Sequence, residues 1–472
     1  MKKYLAIMSI LALTGVQAGW ANILGIGEIS TDGSMEISGQ QASNETDGND
    51  TAKDTRGATA TRIRIGLNAE LGEGVKARVE ALRNSQSGGA VVQYGDSAVG
   101  GDTVAAEEGA ISFENAYIDL ENFLQLDSFR LGRQYGGRTG DLLVYYGPVD
   151  DDSLTVTALD GLSVSKKFGK ITAMFGTGKV AEDDAVANTD AGDVTGDTNV
   201  SWITIGSDEI VPNLKVPLEL GFYSGTANLG PTIADNNNLT ILDLRASTML
   251  MDDKVALGLE FAQNGGQKNG TGPGGSATNY KGTALLLNAS YEAKEEGWGA
   301  HFGYATASGD DPSGSNPTAD DDAFHDFRTI GWAVSDYRYG EIMSNSNTAA
   351  AATALIGAGL DTGALGTGIN VMNIGGKYKL PVWDGKVWAM ADYYTASVNE
   401  TAAGIDDGVG SEIDLALKYM HSDSVTAKIG YATFTPEKGL LNAYAGSANL
   451  PDDAVTKLFA KLMVKWGGER AY

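Results

Sequence analysis

No cysteine occurs in the 472 residues. That excludes a disulfide framework, a cysteine-ligated metal site and a thiol nucleophile. Proline is sparse, 10 residues against 63 glycines, so glycine does the breaking, which suits open loops and backbone facing water. Histidine is nearly absent: His301, His325 and His421 are the three. No GxSxG, HExxH or phosphate loop accompanies them. His421 and Ser422 are neighbours, but in a short turn rather than at a membrane rim with an acid partner. No enzyme is expected. Basic charge is outweighed, with a formal net charge of −27, which argues against nucleic acid or anionic phospholipid as a partner.

Long hydrophobic runs are missing too; none approaches the ~20 residues of a membrane helix. The nearest is the N-terminus. Lys2 and Lys3 precede the apolar Tyr4–Leu13 stretch, followed by small residues at which cleavage after Ala18 or Ala21 is expected. Residues 1–21 therefore read as a secretory signal and 22–472 as one domain, since no linker composition interrupts them.

What is present is alternation. In Ser411–Phe434, Ile413, Leu415, Leu417 and Tyr419 alternate with Glu412, Asp414, Ala416 and Lys418. After a short connection at His421–Asp423, Val425, Ala427, Ile429 and Tyr431 resume it. Period two with one apolar and one polar face makes an antiparallel hairpin. Thr61–Leu71 and Val75–Asn84 repeat the pattern around the turn Gly72–Gly74. Further strands are expected at 26–41, 111–122, 128–134, 154–167, 170–180, 199–208, 214–224, 239–251, 254–264, 283–292, 298–307, 369–379, 386–397 and 455–466. Short turns and long polar loops alternate strictly between them.

A soluble sheet of this length would need helices to cover its apolar face, and the chain offers none. The expected fold is all-β: a transmembrane up-and-down antiparallel barrel of about 18 strands, with short periplasmic turns and long extracellular loops. The bacterial outer membrane is the expected location. Tyr223, Tyr291, Trp298, Tyr304, Trp388, Tyr419, Tyr431 and Trp466 lie near strand ends, as interfacial girdles do.

A barrel of that size keeps an aqueous lumen unless loops block it, so a passive route for small hydrophilic solutes (ions, sugars, organic acids) is implied. By parity its wall carries Arg62, Arg64, Arg78, Glu80, Asp119, Arg130, Asp243, Arg245, Glu260, Asp392, Glu412 and Asp414. Lys76, Lys215, Lys377, Lys418 and Lys428 fall on the same face. Arg62, Arg64, Arg78 and Arg130 come from neighbouring strands and are the expected selectivity group.

Two loops stand out. Gly136–Ser153 contains Leu142-Leu143-Val144-Tyr145-Tyr146, too apolar for a solvated loop, and is expected to line a constriction. Ser308–Gly368 is long enough for a lid or plug, with a short helix expected over Asn347–Gly357 and packing from Phe324, Phe327, Trp332, Tyr337 and Tyr339. Acid pairs and triplets at Asp150–Asp152, Asp310, Asp311, Asp320, Asp321 and Asp322 are weak Ca²⁺ candidates. No other cofactor is expected. The expected partners are outer-membrane lipids, lipopolysaccharide, the barrel assembly machinery and the transiting solutes, with a monomer expected rather than a trimer.

Phe129–Gln134 (FRLGRQ), Gly410–Tyr419 (GSEIDLALKY) and Val455–Trp466 resemble the alginate-export type of outer-membrane barrel. The resemblance implies an eighteen-stranded monomer with an arginine-lined constriction, and by position adds Arg133 to Arg130. Alternation alone would turn Arg133 toward lipid, so a bulge at Gly132 or a rim position is required. Export of an anionic polysaccharide such as alginate is thus an alternative function, and a plugged structural or adhesive surface barrel a second one.

Overall fold

The computed structural model describes residues 28–44, 55–86, 112–137, 142–143, 145–148, 158–181, 198–207, 216–228, 236–268, 278–310, 320–325, 337–344, 360, 367–401, 406–437 and 453–467. The signal segment, Asn347–Gly357, Phe327, Trp332, Asp150–Asp152, Asp311 and Lys215 lie outside them.

Eighteen long strands form one wall. The first nine are β1 (Glu28–Ser43), β2 (Arg56–Gly72), β3 (Val75–Gln86), β4 (Ser112–Glu121), β5 (Ser128–Gln134), β6 (Leu159–Phe168), β7 (Ile171–Ala181), β8 (Thr198–Ser207) and β9 (Leu218–Asn228). The rest are β10 (Asn236–Leu250), β11 (Val255–Lys268), β12 (Thr283–Ala293), β13 (Trp298–Ala307), β14 (Ile369–Leu380), β15 (Val387–Val398), β16 (Gly408–Ser422), β17 (Val425–Pro436) and β18 (Val455–Trp466). Each pairs antiparallel with its neighbour in sequence, and β1 pairs with β18 from Gly33↔Trp466 to Ser43↔Thr456. The sheet is closed. Closure leaves no unpaired edge in the wall, the condition for a β-structure surrounded by hydrocarbon.

Alternation decides the two faces, and they are inverted relative to a water-soluble protein. Ile118, Leu131, Ile203, Ile374, Leu415 and Ile429 point outward and are 45–60% exposed, within a belt of large apolar side chains. Asp32, Glu36, Arg62, Arg64, Glu80 and Asp243 point inward and are buried. An exposed apolar belt with ionised groups inside is the lipid-facing barrel pattern. Short turns occupy one end: Gly72, Glu73 and Gly74 all take positive φ between β2 and β3. The β16–β17 turn is tighter than expected, only Asp423 and Ser424, because His421 and Ser422 remain in the strand.

Two girdle aromatics are corrected. Phe222 is 48% exposed, which turns its neighbour Tyr223 inward to 5% exposure. Ala389 sits opposite Leu417 of the outward set, so Trp388 faces the lumen, where Lys377 Nζ lies 5.6 Å from its ring. Aromatic rings suit an interface and a lumen equally, so nearness to a strand end could not separate the two. Tyr291, Trp298, Tyr304, Tyr419, Tyr431 and Trp466 share the outward parity.

The long-loop half of the lumen holds an apolar cluster. Leu142, Leu143 and Tyr146, from the connection after β5, bury against Trp202, Tyr223 and Ile241 of the wall. A two-residue ladder, Gly136–Gly137 with Tyr145–Tyr146, folds that loop back on itself. Gly176 makes the packing possible: the space its Cβ would take is filled by the Trp202 indole.

Candidate functional site: the lumen wall and its inward loops

Arg62, Arg64, Arg78 and Arg130 all lie on the inner face, but none presents an isolated charge. Arg62 is ion-paired to Glu36, and both side chains are under 5% exposed. Arg64 lies 3.5 Å from Glu36 and 3.8 Å from Glu80. Arg78 donates to Asp32 at 2.8 Å and also contacts Glu80. Arg130 holds Asp119 at 2.8 Å and stacks over Tyr117. Charges this close neutralise one another at a distance, so the arginine group projects less field into the lumen than its charge count suggests.

Arg133 sits elsewhere. The ladders on both sides of β5 keep register through Gly132, whose φ is +125°, so no bulge re-aims the side chain. Arg133 is the penultimate residue of β5 and pairs with Asp160 at 3.0 Å. It occupies the rim. A bulge does lie in the neighbouring β4, where Glu114 is skipped between Asn115↔Glu80 and Phe113↔Ala81 and is fully buried.

Farther round, Arg245 gathers Asp243 at 2.8 Å, Glu260 at 3.1 Å and Glu219 at 3.9 Å. One cation among three carboxylates makes this wall acidic, and a cavity of about 450 Å³ opens beside it. Asp392 Oδ1 lies 2.6 Å from His301 Nε2 and accepts its N–H in the tautomer that carries the proton there.

Glu412 and Asp414 differ most from the sequence reading. They were expected to face solute, yet Glu412 is 0% and Asp414 8% exposed. The cover is the long loop. Glu412 Oε1 accepts the amides of Glu341 (2.7 Å) and Ile342 (2.8 Å), and Oε2 accepts that of Met343 (2.8 Å). Asp414 accepts a further bond from the Glu341 amide at 3.1 Å. Gly340 enters this turn at φ +83°. Ile342, Met343, Tyr339 and Leu360 then join the apolar cluster. The tip is tied again by Glu341, whose carboxylate meets Lys428 at 2.6 Å and whose carbonyl accepts from Lys457 Nζ at 2.6 Å. Long-range partners some seventy residues apart in sequence leave no local signal, which is why parity alone could not separate pore-lining acids from loop anchors.

The base of the same loop docks at the rim. Phe324 and His325 are buried, Asn264 exchanges two hydrogen bonds with the His325 backbone, and His325 Nε2 lies 3.0 Å from Asp321. Lys281 binds Asp320 at 2.6 Å, which holds that carboxyl below its ordinary range and raises the ammonium above its own. Among the described residues, no three metal-ligating side chains converge.

Three lysines were missed. Lys457, Lys461 and Lys465 alternate with Leu458, Leu462 and Val464 along β18, and the ladder sets Lys461 opposite Lys428 and Ser38. Their period-two spacing was readable. Their partners Glu341 and Lys428 were not.

No protein-family model matches the chain, and no curated protein matches it significantly. Solved structures do match. OccAB4 of Acinetobacter baumannii superposes with a TM-score of 0.55 at 12% identity, over 93% of this chain and 98% of that one. OccD3 (OpdP) of Pseudomonas aeruginosa gives 0.53 at 13% identity, over 93% of each. OccK8 (OprE) of the same organism gives 0.53 at 12%, over 93% and 99%. The chain shares their fold. Coverage of nearly the whole of both partners means that the likeness is to the complete barrel, not to a run of hairpins.

Proposed function

We propose that the chain is a bacterial outer-membrane porin that lets small hydrophilic solutes diffuse passively through a lumen narrowed by inward loops. The observation that carries this reading is the anchoring of Gly340–Ser344 on Glu412 within a closed eighteen-strand wall: the loop narrows a channel that side chains alone cannot fill. The similar barrels named above are outer-membrane porins. Short turns then face the periplasm and long loops the exterior, with lipid and lipopolysaccharide around the apolar belt.

Among the described residues, the arginine-bearing part of the wall does not single out an anionic polysaccharide. The arginines that such a path would use are held by Asp32, Glu36, Glu80 and Asp119. Single-channel recording of the refolded protein in a planar bilayer tests the porin reading. Steady ohmic current with graded exclusion of neutral sugars is expected. Folded protein that passes no current, even with the Glu412 anchor removed, overturns it in favour of a sealed structural barrel.

A further inference from the structure

The inner wall is not uniform in how its cations are held. On the arginine side every guanidinium named above has a carboxylate within ion-pairing reach. Across the β1–β18 seam from the Arg62–Glu36 pair, toward the short-turn end, a cavity of about 370 Å³ opens between β15, β16, β17 and β18. Lys418, Lys428, Lys461 and Lys465 line it, together with the polar Ser424 and Thr426. Asp423, in the turn, is the one acid on that lining among the described residues.

The lysines face one another. Lys418 pairs with Lys428 across the β16–β17 ladder and Lys428 with Lys461 across the β17–β18 ladder, and among the described residues Lys418 and Lys465 have no acidic partner. Lys428 reaches away to Glu341 at 2.6 Å, and its ammonium also lies 4.9 Å from the Phe459 ring. Converging like charges in a walled cavity repel, and a multivalent anion relieves that repulsion more than a monovalent one. The donor type narrows the class. Guanidinium offers a planar fork suited to two coplanar carboxylate oxygens, whereas ammonium groups are point donors that can surround a tetrahedral oxyanion from several sides. Hydroxyls add neutral donors of the same reach.

We propose that Lys418, Lys461 and Lys465, beside the Glu341-paired Lys428, form a binding subsite for a phosphate-monoester dianion at the short-turn end of the lumen. As a place where a transiting solute pauses, it rests on the porin reading. As a binding site, it does not. A solute carrying a phosphate would meet paired arginines and the loop tip first, then this cluster on its way out.

Isothermal titration of the folded protein in detergent at pH 7.5 and low salt tests this directly, with glucose 6-phosphate, inorganic phosphate, citrate and glucose as probes. Glucose 6-phosphate and phosphate are expected to saturate one site, glucose to give no heat, and 0.5 M NaCl to weaken binding at least tenfold. Lys418→Gln/Lys465→Gln is expected to lower affinity tenfold or more, and Lys281→Gln, at the opposite rim, to leave it unchanged. Lys465→Gln alone, nearest the strand end, serves if the double variant does not fold. Absence of saturable binding, or an unchanged affinity in the folded lysine variants, overturns the proposal. Citrate binding as tightly as the phosphate ester overturns the phosphate assignment. Conduction is recorded separately: current without binding sinks this subsite alone, and binding without current, in the wild type and with the Glu412 anchor removed, sinks the porin reading alone.

Discussion

Gly340 lies so close to Glu412 that a Cβ on it would sit 2.5 to 2.8 Å from the Glu412 carboxylate. The φ of +83° at Gly340 is costly for any other residue, and the missing Cβ lets three successive amides close on one acid. Gly340→Ala therefore adds steric overlap to backbone strain of about 1–3 kcal/mol. Glu412→Ala removes hydrogen bonds worth about 1.5–3 kcal/mol each when the acceptor is charged. Both variants are expected to free the loop tip and to raise single-channel conductance above wild type. Conductance unchanged in both would mean that this segment does not narrow the path.

Arg62 and Arg64 share Glu36, and all three are nearly sealed from solvent. Removing one partner of a buried pair typically costs about 3–5 kcal/mol, because the other charge is left buried. Glu36→Gln should lower the thermal midpoint of barrel unfolding and shift the reversal potential in a salt gradient toward anions. Arg62→Gln should destabilise similarly and shift it toward cations. Parallel shifts of the same sign would contradict the paired arrangement.

The Lys281–Asp320 contact gives the docked loop base a pH window. Asp320 is held low chiefly by the Lys281 ammonium and then by the Asn279 amide. An acid held low contributes stability that is full above its unfolded value and is lost as pH falls through the folded one. Lys281 is raised chiefly by Asp320, so its share is full below its unfolded value and lost as pH climbs through the folded one. Lys281 is exposed and Asp320 about a third exposed, so the effect is small and salt-sensitive. Amide exchange at Phe324 and His325, corrected for intrinsic rate, should be slowest near neutrality and rise in acid below the ordinary carboxylate range. In Asp320→Asn the acid limb should shrink. An identical profile in the variant would remove Asp320 from the account.

At the closing seam the Trp466 indole lies where a Cβ of Gly33 would be. Gly33→Val should therefore weaken the β1–β18 pairing that closes the wall. A smaller heat-modifiable, protease-resistant fraction on gels is expected, with no such loss for Gly39→Val, whose Cβ would meet nothing within 4 Å.

Strand positions, the count of about eighteen and the sidedness of residues such as Ile413, Leu415 and Leu417 were legible from the sequence alone. Period-two alternation is local, and the absence of covering helices left a closed lipid-facing wall as the arrangement that could satisfy it. Only the tertiary structure decided which charges meet. Glu36 reaches Arg62 across the β1–β2 ladder, Lys461 comes to lie opposite Lys428, and Glu412 holds amides some seventy residues earlier in the chain. Parity tells which residues share a face within one strand, but contact depends on the register between strands and the path of a loop, and those are settled by packing across the whole barrel.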